Sequence, residues 1–280
     1  MTGAPWQAVR RVRVDGRLTV VGDLHGKLGA LEAVLAERDV EAGLAAGTHT
    51  LVSVGDLVDR GPRERRLDRD VHVGVEALVD RVAALARRHP DRVHVVAGNH
   101  EIMHLRDIRT RRLGPGAVSR WASQGELTLT PERLAFLTAL PVALALDVAG
   151  TPAIVVHAGV PERAHALDTL VTVTDVVAAH EASRPLRELL WTNPSWSRGS
   201  SGLGFAYTRL HLQAFLEANG ARVLVRGHSN EPELRELPGG LLYACVHTAQ
   251  GPEDRDDPRD GYVYLAWDAP AGPQLVRRKP

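Results

Sequence analysis

Apolar runs in this chain stop, again and again, at residues that bind divalent metals. Asp23 and His25, Asp56, Asn99 and His100, His157, and His228 each follow a short strand-like segment. Asp and His at alternate positions, as in Asp23-Leu24-His25, can face one point where a strand leaves its sheet. Carboxylate, imidazole and amide oxygen together suit a borderline ion, Mn first with Fe or Zn as alternatives, better than Ca. A carboxylate between two half-sites can bridge two ions about 3.5–4 Å apart, and a bridged pair acidifies the water between them. Such a site makes a nucleophile without a nucleophilic side chain.

The densest of these segments is Val54-Gly55-Asp56-Leu57-Val58-Asp59-Arg60-Gly61-Pro62, directly after Leu51-Val52-Ser53. It sets two carboxylates and a guanidinium at a strand's C-terminal edge, where open α/β sheets gather ligands. With 13 histidines in the chain, most belong to the surface or to satisfied core positions. His49, His72, His89, His94, His165, His180 and His211 are assigned to that group. His104 follows His100 by four residues and can line the site without being a ligand. His247, at the end of a strand, is open between the two readings.

The elements that must hold these groups follow from apolar periodicity. Strands are expected at Leu18–Val21, Leu51–Val54, Val93–Val96, Val142–Val148, Ala153–Val156, Arg222–Val225, Leu241–Val246 and Gly261–Trp267. Helical spacing marks a segment from Leu28 to Leu35, one from Val75 to Leu85, Val173–Glu188, and Leu210–Leu216 ending at Asn219-Gly220. Thr130-Pro131 starts another helix, with Thr130 as its cap and Pro131 at the first position. Residues 1–12 read as a short tail, Pro62–Asp70 as a solvated loop, and Ile102–Thr130 as an insertion or cap over the site. No fixed repeat and no linker divides the chain, so one domain over 1–280 is expected.

Bulk properties narrow the class. The 280 residues are 44% apolar and 24% charged, ordinary for a globular protein with a substantial core. Lys+Arg and Asp+Glu both number 34, so no global field draws the chain to nucleic acid or membrane. The single cysteine, Cys245, excludes an internal disulfide and any multi-cysteine zinc site, and its apolar neighbours favour a buried, inert thiol. Neither a signal-like h-region nor a spanning apolar window is present, so a cytoplasmic location is expected.

Gly22-Asp23-Leu24-His25-Gly26, Gly55-Asp56-Leu57-Val58-Asp59-Arg60-Gly61 and Gly98-Asn99-His100-Glu101 resemble the three signatures of the metal-dependent phosphoprotein phosphatases. That family is a branch of the calcineurin-like metallophosphoesterases. His157-Ala158-Gly159 and Arg226-Gly227-His228 are similar to its two later histidine motifs, and the likeness runs from Leu18 to His228. It implies an α/β fold, a central β-sandwich flanked by helices in four layers, with a dinuclear metal site at strand C-terminal ends. By motif match, Asp23, His25 and Asp56 hold the first metal, and Asn99, His157 and His228 complete the second around the bridging Asp56. His100 would protonate the leaving group, Asp59 would orient it, and Arg60 and Arg198 would clamp phosphate oxygens.

Departures from the pattern fall on the substrate side. Thr192-Asn193 replaces Ser-Asp, His157 precedes Ala-Gly, and Val246–Gly251 stands where a Ser-Ala-Pro-Asn-Tyr type motif is usual. Asn230 occupies the position of a second histidine in diesterase relatives. The resemblance implies a phosphomonoester hydrolase of serine/threonine protein phosphatase type, using metal-bridging hydroxide for in-line attack on phosphorus. Its substrate would be a phosphorylated protein or a small phosphate ester. The alternatives are a diadenosine tetraphosphate, nucleotide or RNA-end phosphohydrolase with the same centre, and a catalytically inactive metal-binding module.

Overall fold

A computed structural model describes residues 6–60, 63–66, 69–72, 74–112, 114, 116–120, 126–170, 175–197, 205–249 and 261–278. Strands β1 (Val9–Val14) and β2 (Arg17–Val21) come first, then helices α1 (Leu28–Glu37) and α2 (Val40–Ala45) and strand β3 (His49–Ser53). A hairpin of β4 (Arg63–Arg66) and β5 (Arg69–His72) precedes α3 (Val75–Arg88), β6 (Val93–Val95) and α4 (Asn99–Thr110). The pair β7 (Val118–Arg120) and β8 (Glu126–Thr128) leads to α5 (Pro131–Thr138), β9 (Ala143–Val148) and β10 (Thr151–Val156). Helices α6 (Val176–Ala182) and α7 (Arg184–Trp191) run into β11 (Asn193–Pro194) and its partner β12 (Ala206–Tyr207). After α8 (Arg209–Ala218) follow β13 (Val223–Arg226), β14 (Glu233–Leu237), β15 (Leu241–Cys245), β16 (Tyr262–Asp268) and β17 (Pro273–Arg278).

Two sheets result, ordered β1-β9-β10-β13-β15-β14 and β17-β16-β2-β3-β6. Their inner strands are largely apolar on both faces, as strands covered on both sides must be. One face alternates into a core between the sheets: Leu18 and Val20, Val52 and Val54, Leu144 and Leu146, Val223 and Val225, Leu265 and Trp267. The other face meets the helices, as Val21, Leu51, Val95, Ile154, Leu224 and Tyr243 do with Leu31, Val79 and Phe215. Layers of helix, sheet, sheet and helix follow directly from that double alternation.

The parallel pairs position the chemistry. β2 pairs β3 and β3 pairs β6 in parallel, and in the other sheet β10 pairs β13 and β13 pairs β15 in parallel. Six strands therefore end along one edge of the sandwich.

Several expectations shift. The tail is shorter than expected, because Val9–Val14 adds to the larger sheet beside β9 and sends Val12 and Val14 into the core. Part of the charged 62–70 loop forms the β4–β5 hairpin. Ile102–Thr130 begins within α4, whose buried face mixes Asn99, His100, Glu101 and His104 with Ile102, Leu105 and Ile108. The helix expected over Val173–Glu188 breaks at Ser183, which caps α7 just before Pro185. Thr130 caps α5 as expected, its Oγ1 accepting the Arg133 N–H at 3.2 Å. Among the described residues no helix is long and apolar enough to cross a membrane.

Candidate metal centre

The loops that carry the site are tightly folded. His25, Asp56, Asp59, Arg60 and His228 all have positive φ, a region that L side chains enter only when surrounding structure compels them. Two glycines let the loops touch: a Cβ on Gly55 would lie 2.4 Å from the Gly98 nitrogen, and one on Gly98 would lie 2.2 Å from Asp56 Oδ1. Glu101 binds them together. Its Oε2 accepts the N–H groups of Gly98 (2.7 Å) and Asp56 (2.9 Å), and its Oε1 those of Leu57 (2.8 Å) and Val58 (3.2 Å). Removing this fully buried carboxylate leaves four N–H donors unmatched. Glu101→Ala is therefore expected to cost ~3 kcal/mol or more in urea unfolding, and a loss below ~1 kcal/mol would contradict the role.

On that platform Asp56 is the hub. Its Oδ2 lies 3.8 Å from His25 Nε2, 3.8 Å from His100 Nε2 and 3.4 Å from His157 Nε2. His157 Nε2 is also 2.7 Å from Asn99 Oδ1 and 3.2 Å from His228 Nδ1, and His228 Nδ1 is 3.0 Å from Asn99 Oδ1. Asp23 stands at the other side, its Oδ1 accepting the His228 backbone N–H at 3.0 Å. Two groupings are compact enough to share an ion: His25, Asp56 and His100, and Asp56, His157 and His228. The structure thus gathers His25, Asp56, Asn99, His157 and His228 around one point, with Asp23 beside them but outside both groupings, from five strand ends.

The donor set fits metal. His25 Nδ1 and His157 Nδ1 face the carbonyls of Val58 (2.9 Å) and Val54 (2.8 Å), so each N–H is spent there and each Nε2 lone pair turns toward Asp56. Imidazole nitrogens and carboxylate oxygens converging in a buried space offer a metal cation its ligands. The electrostatics agree for His25 and His228, while His157 keeps a proton that a metal ion would displace. Burial lowers His25 to a pKa of about 4, and burial with the neighbouring His157 lowers His228 to about 3, so both stay neutral, the ligating form. Burial also disfavours a charged His157, yet the carboxylate of Asp56 outweighs it and raises that pKa to about 9. Asp56 itself is held well below the carboxylate range, burial being overcome by His157 and His100.

Beside the hub sits a second arrangement. His100 Nδ1 lies 2.7 Å from Asp59 Oδ2, and the other oxygen, Oδ1, lies 2.5 Å from His104 Nε2. Burial works against a cationic His100, but the charge of Asp56 and the bond to Asp59 leave its pKa raised. Arg60 is half-buried next to these groups, and its charge acts on His100. Arg198 lies outside the described residues.

His247 reaches the site from the end of β15, its Nδ1 3.3 Å from Asp23 Oδ2 and its ring centroid 6.3 Å from that of His25. The Trp191 ring lies 6.3 Å from that of His228. Of the histidines assigned elsewhere, His49 binds Thr19, His94 the Asp91 carbonyl, His180 Trp191, and His211 caps α8 through Thr208. Glu101, which serves backbone, has no role in the sequence reading, whereas His104, expected to line the site from its spacing of four from His100, does so through Asp59.

The chain is similar to known proteins in sequence and in fold. The family model for calcineurin-like phosphoesterases matches residues 16–232. The catalytic subunit of serine/threonine-protein phosphatase 4 from Kluyveromyces lactis is 23% identical over 274 residues, 90% of this chain and 79% of its own. Its Saccharomyces cerevisiae counterpart is 24% identical over 249 residues, covering 82% and 68%. A serine/threonine phosphatase structure from Saccharomyces cerevisiae superposes with TM-score 0.66 at 16% identity, over 98% of this chain and 84% of that one. A cold-active protein-tyrosine phosphatase of a Shewanella species does so with TM-score 0.58 at 16% identity, over 95% and 78%. With the family model spanning most of the chain, all three signature segments and both later histidines, this protein belongs to the calcineurin-like phosphoesterases and is a hydrolase of phosphoric esters.

Proposed function

We propose that the chain is a phosphomonoesterase of serine/threonine protein phosphatase type. Asp23, His25 and Asp56 would hold one divalent ion, and Asp56, Asn99, His157 and His228 a second, with Mn the best match to the mixed donors. Bound there, the ions supply Lewis-acid charge and lower the pKa of a coordinated water. The remaining work belongs to the chain's own side chains. Arg60, and Arg198 with it, offers a planar fork to two phosphate oxygens and fixes the ester for in-line displacement.

His100 handles the proton. Its Nδ1–H is spent on Asp59 Oδ2 at 2.7 Å, so the transferable proton sits on Nε2, the atom 3.8 Å from Asp56 Oδ2. From there it passes to the leaving oxygen as the P–O bond breaks, releasing an alcohol and leaving a neutral ring with Nδ1–H still on Asp59. An alkoxide from serine or threonine is a poor leaving group, and an acid poised in this way is what its departure needs. This paired acid beside the Asp56 hub is the observation that carries the reading. The sequence likeness to two serine/threonine phosphatase subunits supports it.

The test compares kcat/KM, with Mn present, on phosphoserine, phosphothreonine and phosphotyrosine peptides, diadenosine tetraphosphate and a 5′-phosphorylated RNA. The phosphoserine and phosphothreonine peptides are expected to give the highest values. Faster cleavage of phosphotyrosine, dinucleotide or RNA end would overturn the assignment, and no turnover on any would favour a metal-binding module.

A further inference from the structure

We propose that His104 is a positioning residue for the proton donor, the middle of a buried relay running from Asp107 through Ser119, His104 and Asp59 to His100. The inference rests on the reading of His100 as the acid.

The geometry is continuous. His104 and Ser119 are fully buried and Asp59 is 1% exposed, so these contacts are not exchanged with water. Asp59 is a carboxylate gripped at both oxygens, by His100 Nδ1 at 2.7 Å and by His104 Nε2 at 2.5 Å. His104 is fixed from behind, with its Nδ1 2.8 Å from Ser119 Oγ. Ser119 Oγ also lies 3.0 Å from Asp107 Oδ2 and 3.3 Å from the His104 carbonyl. Both Asp59 oxygens accept N–H bonds, and those bonds overcome burial to hold its pKa at about 2.

The grip has a specific purpose. Asp59 has φ +64 and Arg60 φ +49, two successive left-handed residues that a free loop would abandon. A carboxylate tied only to His100 could swing with that ring. The second bond, made to a side chain on the rigid helix α4, turns Asp59 into a fixed reference against which His100 is oriented. Because Ser119 belongs to β7, the segment after α4 acts on the acid through this line.

Leaving-group dependence separates positioning from general support. Wild type, His104→Leu, His104→Gln, Ser119→Ala and His100→Asn would be assayed with Mn on a series of monoesters from 2,4-dinitrophenyl to alkyl phosphate. His104→Leu and Ser119→Ala are expected to lose about 10–100-fold in kcat on alkyl phosphate and under about threefold on 2,4-dinitrophenyl phosphate, as for partners that orient another group. KM is expected to hold. His104→Gln, which keeps an N–H for Asp59, is expected to recover most of the alkyl activity. Equal losses across the series, or no loss in either variant, would overturn the relay. Where His104→Leu fails to fold, Ser119→Ala decides by the same slope. A wild-type slope in His100→Asn would instead bring down the acid reading itself, which keeps the two failures apart.

Discussion

Asp56→Asn is expected to lower kcat by ~10³-fold or more and to reduce bound metal below two ions per chain. The magnitude follows because several kcal/mol of transition-state charge rest on the ions, and each 1.4 kcal/mol is about a factor of ten. The substitution is conservative in shape. Asparagine retains an oxygen for the His100 N–H, which Asp56 Oδ1 now accepts at 3.1 Å, so the loop has no reason to rearrange. What disappears is the negative charge facing three imidazole nitrogens within 3.8 Å. Elemental analysis of the dialysed variant beside its turnover number checks both halves. Full metal content with activity within tenfold of wild type would contradict the role of Asp56 as shared ligand.

His100→Asn is expected to behave differently. Metal content stays, KM changes little, and kcat on a phosphoserine peptide falls by ~10²–10⁴-fold, the usual span for a lost general acid. The His100 backbone remains tied to Asp56, so the variant keeps the hub while losing the proton at Nε2. Asp59→Asn should reproduce most of the loss, since an amide cannot hold two imidazole N–H groups with equal charge. Steady-state kinetics with metal analysis on the same preparations separates this pattern from that of Asp56→Asn. Loss of metal in His100→Asn would move His100 from the acid to the ligand set, beside His25 and Asp56, with which it forms one compact grouping.

The hub was legible because its residues interrupt apolar strands with metal-binding types, and type survives in sequence where geometry does not. The sandwich was legible for a related reason. Strands buried on both faces leave continuous apolar runs, whereas β1, β14 and β17 (VRRVRV, ELREL and PQLVRR) carry charge on an exposed face. Two of these are edge strands of their sheets and β17 closes the other sheet, where exposed charge discourages further pairing. α4 was obscured by function itself: the positions that face inward hold Asn99, His100, Glu101 and His104, so its apolar stripe is broken. Glu101 stands in the third signature segment but showed no role there, because its partners are backbone N–H groups. The bond from His104 to Asp59 depends on a left-handed turn at Asp59, which no spacing rule encodes.

Anomalous diffraction from crystals soaked in Mn tests the central claim most directly. The account predicts two Mn peaks per chain, both within bonding distance of Asp56, one also bound by Asp23 and His25 and the other by Asn99, His157 and His228. A single peak, or a pair that does not share Asp56, would contradict it.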